Sequence, residues 1–154
     1  MNHQRRQALR AGGGLGLYAL LTAAGLITPE LAQAAQTRAG FDAHTLDAVL
    51  SALGAGKPAA SSDIELNVPD LNDNGAAVRL GIVSRLPKTE QVAILIEKNP
   101  SPLAAIFTIP EGTLADLQTE VKVSESCPIH VLVKAGGRFY SVRKDVQVTI
   151  GGCG

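Results

Sequence analysis

The chain has 154 residues, enough for one domain of ordinary size; 45% are apolar but only 3% are aromatic, with no Trp, so Val, Ile, Leu and Ala must build the core. Lys plus Arg equals Asp plus Glu at 14 each, and this balance without aromatic platforms argues against nucleic-acid binding, where basic patches and stacking surfaces dominate. Two cysteines, Cys127 and Cys153, are too few for a disulfide scaffold or a four-cysteine metal centre.

The first segment, 1–34, reads as an address. Arg5, Arg6 and Arg10 precede an uncharged stretch from Ala11 to Pro29 rich in Leu, Ala and Gly, and Ala32-Gln33-Ala34 offers small residues for cleavage. This is the order of a secretory signal peptide, and Arg5-Arg6-Gln7-Ala8-Leu9 resembles the twin-arginine export signal. The rival readings are an N-terminal helix or a membrane anchor, and an anchor needs about 20 strongly apolar residues; here glycines at 12, 13, 14 and 16 dilute the stretch. Removal of the leader leaves 11 basic and 13 acidic residues, a slightly acidic protein expected outside the bacterial cytoplasm and not in the membrane.

In segment 35–62, Phe41, Leu46, Val49, Leu50 and Leu53 fall near helical spacing, and Gly54 and Gly56 stop the pattern. One short N-terminal helix, Phe41 to Leu53, is therefore expected, with His44 on it facing solvent. Gly54 to Ser62 reads as a flexible linker. From Asp63 the period becomes two. Asp63 to Val68, Ala77 to Leu86, Val92 to Glu97, Leu103 to Ile109, Val121 to Val123, Ile129 to Val133, Phe139 to Val142 and Val146 to Ile150 are strand candidates. Asn72-Asp73-Asn74-Gly75 suggests a tight turn with positive φ, and Gly136-Gly137 a hairpin. The spacing predicts an all-β fold: an antiparallel Ig-like β-sandwich over 63–150, Ig-like only in architecture because no Cys pair flanks a Trp.

The chain ends Ile150-Gly151-Gly152-Cys153-Gly154. Glycine has no Cβ, so 151–154 predicts a thin, flexible arm carrying a single thiol. Four extended residues span about 13–14 Å, enough to enter a narrow cleft on another protein. No basic residue lies between Lys144 and the C-terminus, and an unassisted thiol is mostly protonated at neutral pH. Catalytic cysteines need a neighbouring base or cation. A thiol without one suits a carried group better than an enzyme. The competing reading is an exported binding or structural module in which Cys153 makes an interchain disulfide.

The tail Val146 to Gly154 closely resembles that of SoxY, the carrier subunit of bacterial thiosulfate oxidation. Glu97-Lys98-Asn99-Pro100-Ser101-Pro102-Leu103-Ala104-Ala105, Lys134 to Ser141, Pro69 to Gly75 and the twin-arginine leader fit the same family. The resemblance implies a periplasmic, non-enzymatic carrier without a resident cofactor. Cys153 would bear thiosulfate-derived sulfur covalently, on an arm of Gly151, Gly152 and Gly154. It also implies a SoxZ-like β-sandwich partner in a heterodimer, a haem enzyme that attaches the sulfur, and other periplasmic enzymes that process it. Two departures stand: one glycine follows Cys153 where the family usually has two, and Cys127 is not part of the family pattern.

Cys127-Pro128-Ile129-His130 holds two potential metal ligands, but a tetrahedral site would need Cys153 and His44 as well; a buried strand-entry Cys is the simpler reading. A Cys127–Cys153 disulfide is a further alternative for a resting state. Asp70, Asn72 and Asp73 lack the alternation of an EF-hand and suit a turn. Ser84, Ser124 and Ser126 have no His–Asp pair placed by any motif. No metal site is expected.

Overall fold

The computed structural model describes residues 28–149. The chain divides into two units, Met1–Gln36 and Thr37–Gly154. Helix α1 (Pro29–Asp42) opens the described residues. Thr28 caps it, its Oγ1 accepting from Leu31 N–H at 3.3 Å, and Pro29 occupies the first helical position, where its missing N–H costs nothing. No helix among the described residues is long and apolar enough to cross a membrane.

Where one helix from Phe41 to Leu53 is expected, the structure has two. The chain breaks after Asp42, and Thr45 starts α2 (Leu46–Ala52) as its N-cap, with extended backbone and its hydroxyl accepting from Ala48 N–H. Phe41, on the first piece, is 40% exposed, so the helical spacing that runs on from it to Leu46, Val49 and Leu50 does not reflect one continuous buried face. The cap that separates the two pieces is a single Thr. Gly54 and Gly56, at φ 69° and 54°, end α2 as expected. The segment after them is more ordered than a linker: β1 (Ala59–Ala60) pairs parallel with β9, Ala59 opposite Tyr140, and Ser61 N–H donates to Ser141 C=O.

The remaining strands are β2 (Ile64–Asn67), β3 (Leu71–Asn72), β4 (Val78–Ser84), β5 (Thr89–Ile96), β6 (Leu103–Thr108), β7 (Ala115–Val121), β8 (Cys127–Ala135) and β9 (Arg138–Val148). They form a sandwich of two sheets. The larger is six-stranded in the order β1-β9-β8-β5-β6, with β3 also on β9; the smaller is β2-β4-β7. The expected all-β, Ig-like sandwich is therefore present. Gly136 and Gly137, both at positive φ, turn β8 into β9. Phe139 to Val142 and Val146 to Val148, expected in two separate strands, both belong to β9, which runs unbroken to Val148; Ile150, expected at the end of the second, lies outside the described residues. Lys144 between them points to the core side, and its Nζ is satisfied by Val68 C=O at 2.7 Å. Most of β7 lies upstream of the expected Val121 to Val123. Its inward residues Ala115, Leu117, Thr119 and Val121 alternate with exposed Asp116, Gln118 and Glu120, a period of two that the expected strand takes up only at Val121.

Two apolar clusters hold the fold. Between the sheets, Ile64, Val78, Ile82, Val92, Ile94, Ile96, Ile129, Val131, Val133 and Val146 interdigitate without an aromatic among the fully buried side chains. On the outer face of the larger sheet, Val49, Leu53 and Ala55 cover Ala93, Leu95, Leu103 and Leu132. Strand β5 is thus buried on both faces, and its run Val92 to Ile96 has no polar alternation because neither face meets water.

Candidate functional site

The sheet directions gather one set of loops at one end of the sandwich. β9 finishes there, β8 begins there, and the β5–β6 and β7–β8 loops and the residues between β3 and β4 all lie at that end. The segments Pro69 to Gly75 and Glu97 to Ala105, far apart in the chain, both lie at this end, each bonded to the β7–β8 loop, through Gly75 to Val123 and through Asn99 to Lys122 and Ser124.

Three features build the collar around the strand end. On one side β3 runs parallel to β9, Leu71 opposite Gln147 and Asn72 opposite Val148. Gln147 N–H donates to Asp70 C=O at 2.8 Å, and Thr149 N–H donates to Asn72 C=O at 2.9 Å. Asn72 Nδ2 donates back to Pro69 C=O at 2.9 Å, and Lys144 Nζ lies 2.9 Å from the Asp70 carboxylate. On the other side, Ser126 Oγ lies 3.0 Å from Val148 N and 3.3 Å from Val148 O. Across the top, Asn99 Nδ2 donates to Lys122 C=O at 2.7 Å while its Oδ1 accepts from Ser124 N–H, so one side-chain amide joins the β5–β6 loop to the β7–β8 loop. Ser101 Oγ donates to Phe41 C=O and His44 Nδ1 lies 3.0 Å from Pro100 O, tying the break between the helices to the same loop. His44 is therefore exposed, as expected, but sits in the break and not on a helix.

The turn Asn72-Asp73-Asn74-Gly75 differs from its expectation. Neither Asn74 nor Gly75 has positive φ, because β3 pairs with β9 and no tight hairpin joins β3 to β4. Asn74 Oδ1 accepts from Ala76 N–H, a side-chain mimic of a backbone turn. Gly75 is required for closeness: a Cβ there would stand 2.6 Å from Val123 O and 3.4 Å from Val148 Cβ, while Val123 N–H donates to Gly75 C=O at 2.7 Å. Gly75→Ala is expected to lower stability by about 1–3 kcal/mol, as overpacking against backbone does. A reduced midpoint in urea unfolding at unchanged slope checks this.

The weaker candidates resolve simply. Cys127 is buried in the inter-sheet core opposite Val146. His130, three residues on, takes the opposite face of the sheet, its Nε2 3.2 Å from the Glu97 carboxylate. A strand's two-residue period separates them, so they do not converge on one ion. Among the described residues no group of three or more His, Cys, Asp or Glu could hold a metal. Ser84 bonds Thr89 and Ser126 bonds Val148; neither meets a His. Sequence reasoning missed Asn99, Ser126 and Gly75 as parts of this end; their only signal is that two lie in or beside the segments Pro69 to Gly75 and Glu97 to Ala105. A cleft of about 740 Å³ between Leu86 and Leu114 opens at the opposite end of the sandwich and is lined by no His or Cys. Cys153, Gly151, Gly152 and Gly154 lie outside the described residues.

Residues 50–153 match the family of the sulfur oxidation protein SoxY. Among solved structures, the sulfur carrier protein SoxY from Chlorobium limicola f thiosulfatophilum aligns at 25% identity over 68% of this chain and 94% of that one, with a TM-score of 0.58. The E23A variant of a superoxide reductase (neelaredoxin) from Ignicoccus hospitalis aligns at 12% identity over 70% of this chain and 91% of that one, with a TM-score of 0.50, a likeness of fold alone. No curated protein matches the chain. With the family match spanning more than half its length and reaching residue 153 beyond the collared end of β9, this chain belongs to the SoxY family of sulfur oxidation proteins.

Proposed function

We propose that the protein is a non-catalytic carrier of thiosulfate-derived sulfur, with Cys153 as the attachment point and Gly151, Gly152 and Gly154 as its arm. The observation that carries this reading is the family match through residue 153. The collar supports it: hydrogen bonds to the body hold the chain as far as Thr149, two residues before Gly151. The thiol chemistry follows from the residue types. Loading joins Cys153 Sγ to the terminal sulfur of thiosulfate; the thiol proton is released, and two electrons pass to a haem enzyme as the S–S bond forms. Hydrolysis then cleaves the sulfonate: water supplies the oxygen of the departing sulfate, two protons are released, and one sulfur atom stays on the Cys153 sulfur as a persulfide. A further enzyme oxidises that atom. The chain would work in the periplasm after twin-arginine export, paired with a SoxZ-like β-sandwich subunit. An unactivated thiol suits this role, since each enzyme that receives it brings its own catalytic groups.

Intact-mass measurement of native, non-reduced protein tests the reading. Sulfur or thiosulfate adducts on the C-terminal peptide, removable by reductant, are expected after incubation with thiosulfate and the haem enzyme. A stable disulfide-linked homodimer, unchanged by that incubation, would favour the binding-module reading instead.

A further inference from the structure

Strand β6 closes one side of the larger sheet, and among the described residues no strand pairs with its outer edge. Which of its backbone groups face outward follows from the bonds at its two ends. Ile109 N–H donates to Glu90 C=O at 2.9 Å, and Ile96 N–H donates to Pro102 C=O at 2.7 Å. Both bonds fix the same alternation on β5, with Glu90, Val92, Ile94 and Ile96 bonding toward β6. Phe107 lies opposite Val92 and Ala105 opposite Ile94, so these two turn their backbone groups to β5. The N–H and C=O of Ile106 and Thr108 therefore point away from the sheet. The rest of the edge is blunted. The register shift between Ile94 and Leu95 leaves Ala104 as an extra, bulged residue, and Pro110, beyond Thr108, has no N–H.

Edge strands normally carry charge or proline against unwanted pairing. Strand β2 has exposed Glu65, and β7 has exposed Asp116 and Glu120. The run Leu103 to Thr108 has neither charge nor proline, and Ala105, Ile106 and Phe107 are only half-buried. We infer that β6 pairs antiparallel with β6 of a second copy of this chain, about a twofold axis at Phe107, joining two larger sheets into one. That axis sets Ile106 opposite Thr108 of the second copy, and Thr108 opposite its Ile106. Each pair exchanges two backbone hydrogen bonds, about four in all. An axis at Ile106 would bring Thr108 against the bulged Ala104, and an axis at Thr108 would bring Ile106 against Pro110. Only the Phe107 register satisfies every outward group of Ile106 and Thr108. Phe107 packs on the inter-sheet core, and at the axis the two rings meet as an aromatic cross-strand pair, with Cα atoms about 4.5 Å apart. Strands β8 and β5 separate β9 from this edge, so the collar stays outside the seam. The pairing stands independently of what Cys153 carries.

Sedimentation of the mature chain in reductant, which removes any link through Cys153, tests the pairing. Between about 10 μM and 1 mM, monomers are expected to give way to dimers. Amide exchange over the same range should slow at Ile106 and Thr108 and stay constant along β2 and β7. Thr108→Pro removes an N–H that faces away from the sheet, a place where a strand accepts proline. It should keep the urea unfolding midpoint and weaken dimerisation about tenfold or more, because half of the seam bonds are lost. Thr108→Ser, which keeps the N–H, should dimerise as the unaltered chain does. A chain that stays monomeric at every concentration overturns the inference. So does a folded Thr108→Pro protein that dimerises as before, or exchange that slows elsewhere and not at Ile106 and Thr108. If Thr108→Pro does not fold, the exchange data on the unaltered chain decide. Protection of Ile106 and Thr108 only after the SoxZ-like subunit is added would assign the edge to that subunit and overturn pairing between copies.

Discussion

Replacing Cys153 by Ser is expected to abolish sulfur carriage completely while leaving the body folded. A hydroxyl cannot form the S–S bond on which the proposed loading depends, and the other thiol is not placed to substitute. Cys127, the second cysteine, is 6% exposed and packs among Ile129, Val131 and Val146, so no enzyme reaches its sulfur without opening the sandwich. The hydrogen bonds that close β9 involve Gln147, Val148 and Thr149, so the substitution should leave the unfolding midpoint within the roughly ±0.5 kcal/mol of ordinary surface changes. Cys127→Ala is the control: it should cost some stability and leave adduct formation intact. Mass spectrometry of the C-terminal peptide after incubation with thiosulfate and the haem enzyme measures both. Residual adduct on the Cys153→Ser protein would move the site of carriage elsewhere.

The other large effect concerns β5. Ile94 and Leu95 are neighbours, 0% and 1% exposed, and they point to opposite faces of the larger sheet. Ile94 lies between the sheets, whereas Leu95 lies beneath α2 with Val49 and Leu53. Ile94→Ala and Leu95→Ala should each cost about 2–5 kcal/mol, the range for large-to-small changes at fully buried sites. A sandwich with a solvated outer face would show that loss only for Ile94. Urea unfolding of the two variants separates these outcomes. A small loss for Leu95→Ala would mean that α2 does not hold the outer face in solution. The collar depends on the same packing, because the break before α2 is bonded to Pro100 and Ser101 in the β5–β6 loop.

The strands visible in the sequence were those with strongly apolar inward residues. Ile64 to Asn67, Val78 to Ser84 and Leu103 to Thr108 fall where alternation or an apolar run places them. Strand β7 was legible as the alternation of Ala115, Leu117, Thr119 and Val121 with Asp116, Gln118 and Glu120, though small Ala115 and polar Thr119 weaken it, whereas β1 was not, because Ala59-Ala60 after two glycines resembles a linker. Thr45 could have marked the helix break, since a Thr before an apolar-periodic run is a cap signal, but the unbroken spacing of Phe41, Leu46 and Leu50 masked it.

By itself, the sequence determined the fold class, the hairpin at Gly136-Gly137 and the glycine-flanked Cys153, because each rests on local chemistry: side-chain period, glycine's freedom at positive φ, and a run of glycines around one thiol with no basic residue between Lys144 and the C-terminus. Only the tertiary structure decided what holds the end of β9. Asp70, Asn72, Gly75, Asn99 and Ser126 are distant in the chain, and their value lies in backbone contacts with Gln147 to Thr149 or with the loop that carries Ser126. Hydrogen bonds from a side chain to a remote main chain leave no periodic trace, so the collar emerges only when the sheets bring those segments to one end.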